Sequence, residues 1–355
     1  MEQAAHRPRV SGIVSARNAA LFVGEAIESA LSQNFTDFEL LVVDDASTDG
    51  TAEIVAGYVR RDARVRLLPL AEWKGQCVAR NLAMHEARGE WIAILDADDV
   101  WLPTRLESQI AVLEEHPQAC LITSDYEYLC QDGRLLKGWS CPWPEWWLRW
   151  QLLFTNALGG HSQVLFRRDV ALACKGYRED RRLAEDYQLW TDLAERGRFA
   201  YAPGVQMYYR QHDHAVSQIH QESQAGQARA ISFGALRALL EEEWTDERLE
   251  HVRDFWLNLF PDPKDNLWQT ARDLEKLEDA FWKKHPEEKM PENRKALAGH
   301  TRWHWARIAD HFWEKGLYGK AFLAWSFDFT CRLKRLRLRF VAVPKSGPHV
   351  SPAVS

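Results

Sequence analysis

The stretch Trp91-Ile92-Ala93-Ile94-Leu95-Asp96-Ala97-Asp98-Asp99 limits most strongly what this chain can fold into. An apolar run with β-branched residues reads as a buried strand, and this one ends in three carboxylates within four positions. A carboxylate taken from water without a partner is very costly. These acids must therefore stand at the strand's exit, facing solvent, a cation or a ligand. In open α/β sheets ligands bind outside the carboxyl ends of the strands. Asp96 and Asp98 are accordingly expected to hold a divalent metal and the diphosphate charge it neutralises.

The flanking sequence supplies the rest of such a sheet. Residues 10–15 form a short apolar strand that opens into Ala16-Arg17-Asn18. Phe22, Val23, Ala26, Ile27, Ala30 and Leu31 then recur at helical spacing. Residues 39–43 are almost wholly apolar, as in a strand covered on both faces. They run into Asp44-Asp45-Ala46-Ser47-Thr48-Asp49-Gly50-Thr51, which is turn and helix-cap chemistry, with Asp44 and Ser47 as the capping candidates. A strand at 65–68, a helix at 76–87 stopped by Gly89, a helix opened by Pro103 and a strand at 119–124 continue the alternation. Strands alternating with helices predict a doubly wound parallel sheet.

Beyond residue 125 the pattern loosens. Asp132-Gly133 reads as a hairpin turn, 162–166 and 205–209 as strands, and a helix starts at Asp186. The Trp- and Pro-rich stretch 139–150 reads as a loop leading into a short helix. Its rings fit core packing or an acceptor-side wall. From about Gln218 to Arg339 the periodicity is helical, punctuated by Pro261, Pro263, Pro286 and Pro291. Residues 344–355, rich in Pro, Ser and Val, read as a disordered tail.

Composition excludes some function classes. A net charge of −6 gives no electrostatic case for a nucleic-acid partner. Six cysteines without a C-x-x-C pair fit neither a zinc site nor a disulfide framework, which favours a reducing, cytoplasmic setting. No apolar stretch is long enough for a membrane span. Residues 331–340 are basic with interleaved leucines and are expected to make peripheral contact with the inner face of a membrane.

Six stretches, in order, resemble the family 2 glycosyltransferases. They are residues 10–18; Val42-Val43-Asp44-Asp45 with the following 46–51; Gly75-x4-Arg80-Asn81; Gly89-Glu90-Trp91 through Asp99; Glu185-Asp186-Tyr187-Gln188-Leu189-Trp190; and Tyr209-Arg210-Gln211-His212-x4-Ser217. A lone D-x-D is weak evidence, whereas six stretches at the expected strand and helix boundaries are specific. The resemblance implies an α/β fold of the A glycosyltransferase type (GT-A). This is a Rossmann-like, mostly parallel sheet flanked by helices, here followed by an α-helical C-terminal region. It implies a catalytic domain over 8–217, with a nucleotide-binding half at 8–124 and an acceptor and catalytic-base half at 125–217. Residues 218–343 match no family pattern.

The resemblance also implies inverting transfer from a nucleotide-diphosphate sugar, with Mg²⁺ or Mn²⁺, to a glycan or lipid-linked acceptor in cell-surface polysaccharide synthesis. Asp98 is then a metal ligand, since hard divalent cations take oxygen donors and often only one or two carboxylates. Asp96 reaches the ribose or shares the metal through water. For Asp99, capping of the following helix is the preferred role. Asp45 resembles the family's base-recognising carboxylate, with helix capping as its alternative, and Ser15, Ala16 and Arg17 line the same nucleotide pocket. The family often has Tyr or Phe where Arg17 stands.

Arg80 lies near the diphosphate or base, or else on an exposed helix face. Asp186 is the expected general base, because one carboxylate suffices where a metal stabilises the departing diphosphate. His212 is a third metal ligand or a diphosphate contact, with His214 and His220 close by. A nucleotidyltransferase is disfavoured because Ser15-Ala16-Arg17-Asn18 lacks a glycine-rich basic loop. A dinucleotide oxidoreductase is disfavoured because no G-x-G-x-x-G follows the first strand. A nucleotide-sugar-binding scaffold without turnover is the non-enzyme alternative.

Overall fold

The computed structural model describes residues 7–212, 221–259 and 266–336, the side chains of 221 and 328–336 excepted. It divides into two compact units, residues 1–152 with 156–228, and residues 153–155 with 229–355.

In the first unit β1 (Val10–Ala16), β2 (Phe38–Asp44), β3 (Val65–Pro69) and β4 (Trp91–Ile94) lie parallel in the order β3-β2-β1-β4. Helices α1 (Val23–Leu31), α2 (Thr51–Arg61) and α3 (Gln76–Glu86) connect them. β2 is buried along its whole length, as its unbroken apolar run requires. Gly89, read as a helix stop, serves a closer purpose. A Cβ there would lie 2.6 Å from the backbone N of Ser11, so only glycine lets the chain enter β4 beside β1.

The loop after β4 leads into β5 (Val100–Trp101) at the far edge of the sheet, followed by α4 (Arg105–Glu115) and β6 (Ala119–Leu129). β7 (Leu135–Leu136), α5 (Glu145–Leu152), β8 (Leu165–Arg167), α6 (Arg168–Ala173), α7 (Glu185–Ala194) and β9 (Arg198–Arg210) complete the unit. The order continues β4-β8-β6-β9-β5, with β8 antiparallel to both β4 and β6. The sheet is thus parallel over β3-β2-β1-β4 and mixed beyond it. β6 follows in sequence but is not the neighbour of β4, because β5 carries the chain to the far edge before it returns.

Asp132 and Gly133 turn the hairpin between β6 and β7, with Gly133 at φ 82°. The tryptophans of the 139–150 stretch are core: Trp143, Trp146, Trp147 and Trp150 are buried. The acceptor-wall reading therefore fails for these four.

The second unit is helical. It takes in α8 (Gln221–Leu239) from residue 229 onward, then α9 (Asp246–Trp256), α10 (Leu267–Lys284), α11 (Pro291–Glu314) and α12 (Tyr318–Leu336). Thr245 and Asn266 cap α9 and α10 by accepting from Arg248 N and Gln269 N. Pro291 stands in the first turn of α11, where a missing N–H is harmless. The core is aromatic: Phe154 stacks on Trp256 at 5.2 Å and Phe255 meets Trp305 at 4.6 Å. Among the described residues no helix is long and apolar enough to cross a membrane. The side chains of 331–340, the tail at 344–355, and Ser217, His214 and His220 lie outside the described residues.

Candidate active site

The carboxyl ends of β1, β2 and β4 come together because Ala16 pairs with Asp44 and Ile13 with Ile94. Ser15 and Ala16 end β1, and Arg17 follows it. The Arg17 guanidinium donates to the carbonyls of Asp45 and Ala46 at 2.6 and 3.1 Å. Buried Asp45 accepts from the backbone N–H groups of Lys74 and Gly75 at 2.8 and 2.7 Å, which fixes the turn into α3. Asp45 thus holds a loop against the strand end. The cap-like contact at α2 belongs to Asp49, which accepts from Thr51 N at 3.1 Å. Asp44 Oδ2 instead accepts from Ser47 N within the preceding turn.

The held loop carries Trp73, 58% exposed, with the Arg17 guanidinium 5.6 Å from its ring. Sequence reasoning did not single out Trp73. The available signal was an aromatic in a polar loop one residue before Lys74-Gly75.

The three acids after β4 lie in a loop between two strands, so none caps a helix. Asp96 Oδ1 accepts from Arg80 at 2.7 Å, and its backbone N donates to Ser162 Oγ at 2.9 Å. Asp99 is buried and accepts from Ser162 Oγ at 2.5 Å and from Arg210 N at 2.9 Å. In place of the expected helix cap, these contacts tie β9 and the 161–164 segment to the loop. Asp98 points elsewhere: its side chain is 33% exposed, and Oδ2 lies 2.8 Å from His212 Nε2. The structure therefore brings Asp98 and His212 together as the sequence suggested.

Arg80 is buried, which rules out the exposed-face alternative. Its two terminal nitrogens donate to Asp96 and to Glu185, each at 2.7 Å. Arg80 thereby joins the acidic loop to the start of α7, where Asp186 stands beside Glu185. Asp186 accepts from Asn156 Nδ2 at 2.8 Å and from Tyr187 N at 2.6 Å. His161 borders the cluster, with Nδ1 4.0 Å from Asp96 Oδ1, Nε2 2.8 Å from Tyr177 Oη and its ring edge-on to Trp190. Neither Glu185 nor His161 was named as a site member, and their links to Arg80 and Tyr177 have no local sequence signal.

The environments push these groups apart. Burial works against charge on Arg80, but Asp96 and Glu185 hold it firmly protonated. Burial would raise Asp96, yet Arg80 outweighs it and keeps that carboxyl below its usual range. Asp98 is raised by burial and by the Asp96 charge, and Asp99 is driven well above its ordinary value by burial and by both neighbours. Burial raises Asp186 despite its hydrogen bonds, and lifts Glu185 to about 7. Burial and the nearby Arg80 push His161 down to about 3, so it stays neutral.

Among the described residues no group of three or more His, Cys, Asp and Glu is gathered to hold a metal ion. Asp98 and His212 are a two-donor set, one hard oxygen and one imidazole nitrogen, with the carboxylate partly exposed. That suits a cation whose remaining ligands come from substrate phosphates and water.

Arg80→Met leaves two acids without their cation in a largely buried setting. Breaking such pairs from one side costs about 3–5 kcal/mol. Chemical denaturation is expected to show a loss of that order, with Arg80→Lys intermediate because one ammonium cannot fork to both carboxylates. An unchanged midpoint in Arg80→Met would contradict the bridging geometry.

The sequence profile described as glycosyl transferase family 2 matches residues 11–174. The Escherichia coli UDP-Glc:alpha-D-GlcNAc-diphosphoundecaprenol beta-1,3-glucosyltransferase WfaP is 32% identical over 209 residues, covering 59% of this chain and 79% of that protein. Among solved structures, S. aureus TarS 1–349 in complex with UDP-GlcNAc matches with a TM-score of 0.55 at 17% identity, over 94% of each chain. The mannosyltransferase PcManGT of Pyrobaculum calidifontis, in complex with GDP-Man and Mn²⁺, matches with a TM-score of 0.51 at 18% identity, over 95% of this chain and 89% of that one. The fold is of the GT-A type, and the chain belongs to glycosyl transferase family 2.

Proposed function

We propose that this glycosyltransferase is inverting and metal-dependent, and moves a sugar from a nucleotide-diphosphate donor to an acceptor hydroxyl. The observation that carries the reading is the Arg80 bridge, which links the donor-side acid Asp96 to the Glu185-Asp186 pair. One charged side chain thus holds a solvent-open carboxylate region and a candidate base in one frame.

In this reading Ser15, Ala16, Arg17 and Asp45 line the nucleoside end, with Asp45 also fixing the loop that presents Trp73. Asp96 lies toward the ribose, held by Arg80, which stands on the donor side and pairs with both Asp96 and Glu185. Asp98 with His212 would hold Mg²⁺ or Mn²⁺, which supplies charge stabilisation to the departing diphosphate. Asp186 takes the proton of the acceptor hydroxyl. The freed oxygen bonds to the anomeric carbon as the bond to the diphosphate oxygen breaks on the opposite face. Asn156 and Tyr187 N hold the carboxylate in place, and its raised pKa makes it a stronger base than a solvated aspartate.

The acceptor is a glycan or lipid-linked glycan of cell-surface polysaccharide synthesis. The reading draws here on WfaP, whose name gives a diphosphoundecaprenol acceptor. Work at the inner membrane face, with contact through residues 331–340, fits that setting.

A thermal-shift screen of nucleotide sugars with Mn²⁺ tests the reading, because a ligand that binds only the native state raises its stability. One donor is expected to raise the melting temperature with Mn²⁺ and markedly less with EDTA. No shift from any uridine, guanosine or thymidine diphosphate sugar would count against it.

A further inference from the structure

The second unit carries a feature that the transfer site does not use. At the corner between α11 and α12, Trp313, Tyr318 and Phe322 are 46%, 54% and 60% exposed. Trp325, partly buried, completes the group. Trp313 lies 4.8 Å from Tyr318 and 5.4 Å from Trp325, and Phe322 lies 5.5 Å from Trp325.

Positions 318, 322 and 325 share one face of α12, while Ala321, Ala324 and Phe327 are buried elsewhere around it. The rings are therefore surplus to the core of this unit. Single exposed apolar residues are ordinary, but a contiguous cluster of four aromatics marks an interaction surface.

The sequence around the cluster indicates the partner. Residues 313–340 hold seven Lys and Arg against two acids, in a chain whose net charge is −6. Aromatic rings followed in sequence by a basic run match the interface of an anionic bilayer, where Trp and Tyr sit at headgroup depth and cations meet lipid phosphate. We propose that the Trp313–Tyr318–Phe322–Trp325 face inserts shallowly into an anionic phospholipid surface, with the basic residues that follow it supplying headgroup contacts. This deepens the membrane-side setting proposed above, and its test does not depend on turnover.

Flotation of the full-length protein with vesicles decides it. Vesicles of phosphatidylcholine with about one-third phosphatidylglycerol are expected to carry the protein at least ~10-fold better than phosphatidylcholine alone, with the preference weakened at high salt. Trp313→Ser/Phe322→Ser is expected to lose flotation about tenfold or more at low salt, while keeping its melting temperature and its nucleotide-sugar thermal shift. In the wild type, brominated lipid is expected to quench tryptophan emission, a readout that needs no variant.

Equal flotation by the double variant, absence of quenching, or no preference for anionic vesicles would each overturn the proposal. So would a stable wild-type dimer that the double variant dissociates, since the face would then belong to a second copy. Donor thermal shift, scored without vesicles, separates failure of this proposal from failure of the glycosyltransfer reading.

Discussion

Asp186→Asn is expected to bind nucleotide sugar with near wild-type affinity and to lose transfer by roughly 10²–10⁴-fold, the usual contribution of a positioned general base. The carboxylate meets Asn156 with Oδ2 and Tyr187 N with Oδ1, and the amide's one oxygen keeps one of those two hydrogen bonds at the start of α7. What it loses is the ability to take a proton. Glu185 cannot substitute easily, because its carboxylate is committed to Arg80 at 2.7 Å.

The same assignment fixes a pH dependence. Asp186 must be ionised to act, and burial raises its pKa above the ordinary aspartate value. Activity should therefore fall as pH drops through that raised value, at a higher pH than a solvated aspartate would give. Glu185, lifted to about 7, steepens the loss, because its protonation weakens the Arg80 bridge. Rate against pH for wild type and Glu185→Gln separates the two acids. Full turnover in Asp186→Asn would remove Asp186 from the base role.

Asp98→Ala is expected to abolish the metal-dependent part of donor binding, with a loss of affinity on the order of 100-fold or more in Mn²⁺ and little change in EDTA. The effect on the free protein has the opposite sign. Asp98 stands with Asp96 and Asp99, and its pKa is raised by burial and by the Asp96 charge. Its ionised form is thus disfavoured in the folded chain, so stability attached to this group is present at low pH and lost as pH rises through the raised value. Removing it should leave the melting temperature at neutral pH unchanged or higher, a trade of stability for function. Arg210 keeps its anchor in the variant, because it donates to the Asp98 carbonyl and not the side chain. Unchanged Mn²⁺ dependence in Asp98→Ala would take the residue out of the metal site.

The parallel half of the sheet was legible because its signals are local. Apolar runs end at capping or acidic residues, and each boundary at β1, β2, β3 and α3 fell within two residues of expectation. β9 was read too short, at 205–209. Pro203-Gly204 looks like a strand breaker, yet the structure passes them as extra residues where the pairing shifts from Ser124–Ala202 to Asp125–Val205. The cap reading for Asp99 failed because the next element is β5, too short to leave a period in the sequence.

Within the site, residue types at strand ends were visible, but their partners were not. Arg80 reaches Asp96 across 16 positions and Glu185 across 105, and such pairings leave no spacing to read. The tryptophan-rich stretch shows the same limit, since composition cannot tell a buried ring from a sugar platform.

Release of nucleoside diphosphate from the donor that the thermal shift selects tests the central claim most directly. With Mn²⁺ and a lipid-linked glycan extract as acceptor, wild type is expected to release it, Asp186→Asn to release it at background rate, and EDTA to abolish release. Binding of the donor without release by wild type, under every metal and acceptor offered, would contradict catalysis and leave a sugar-nucleotide-binding scaffold.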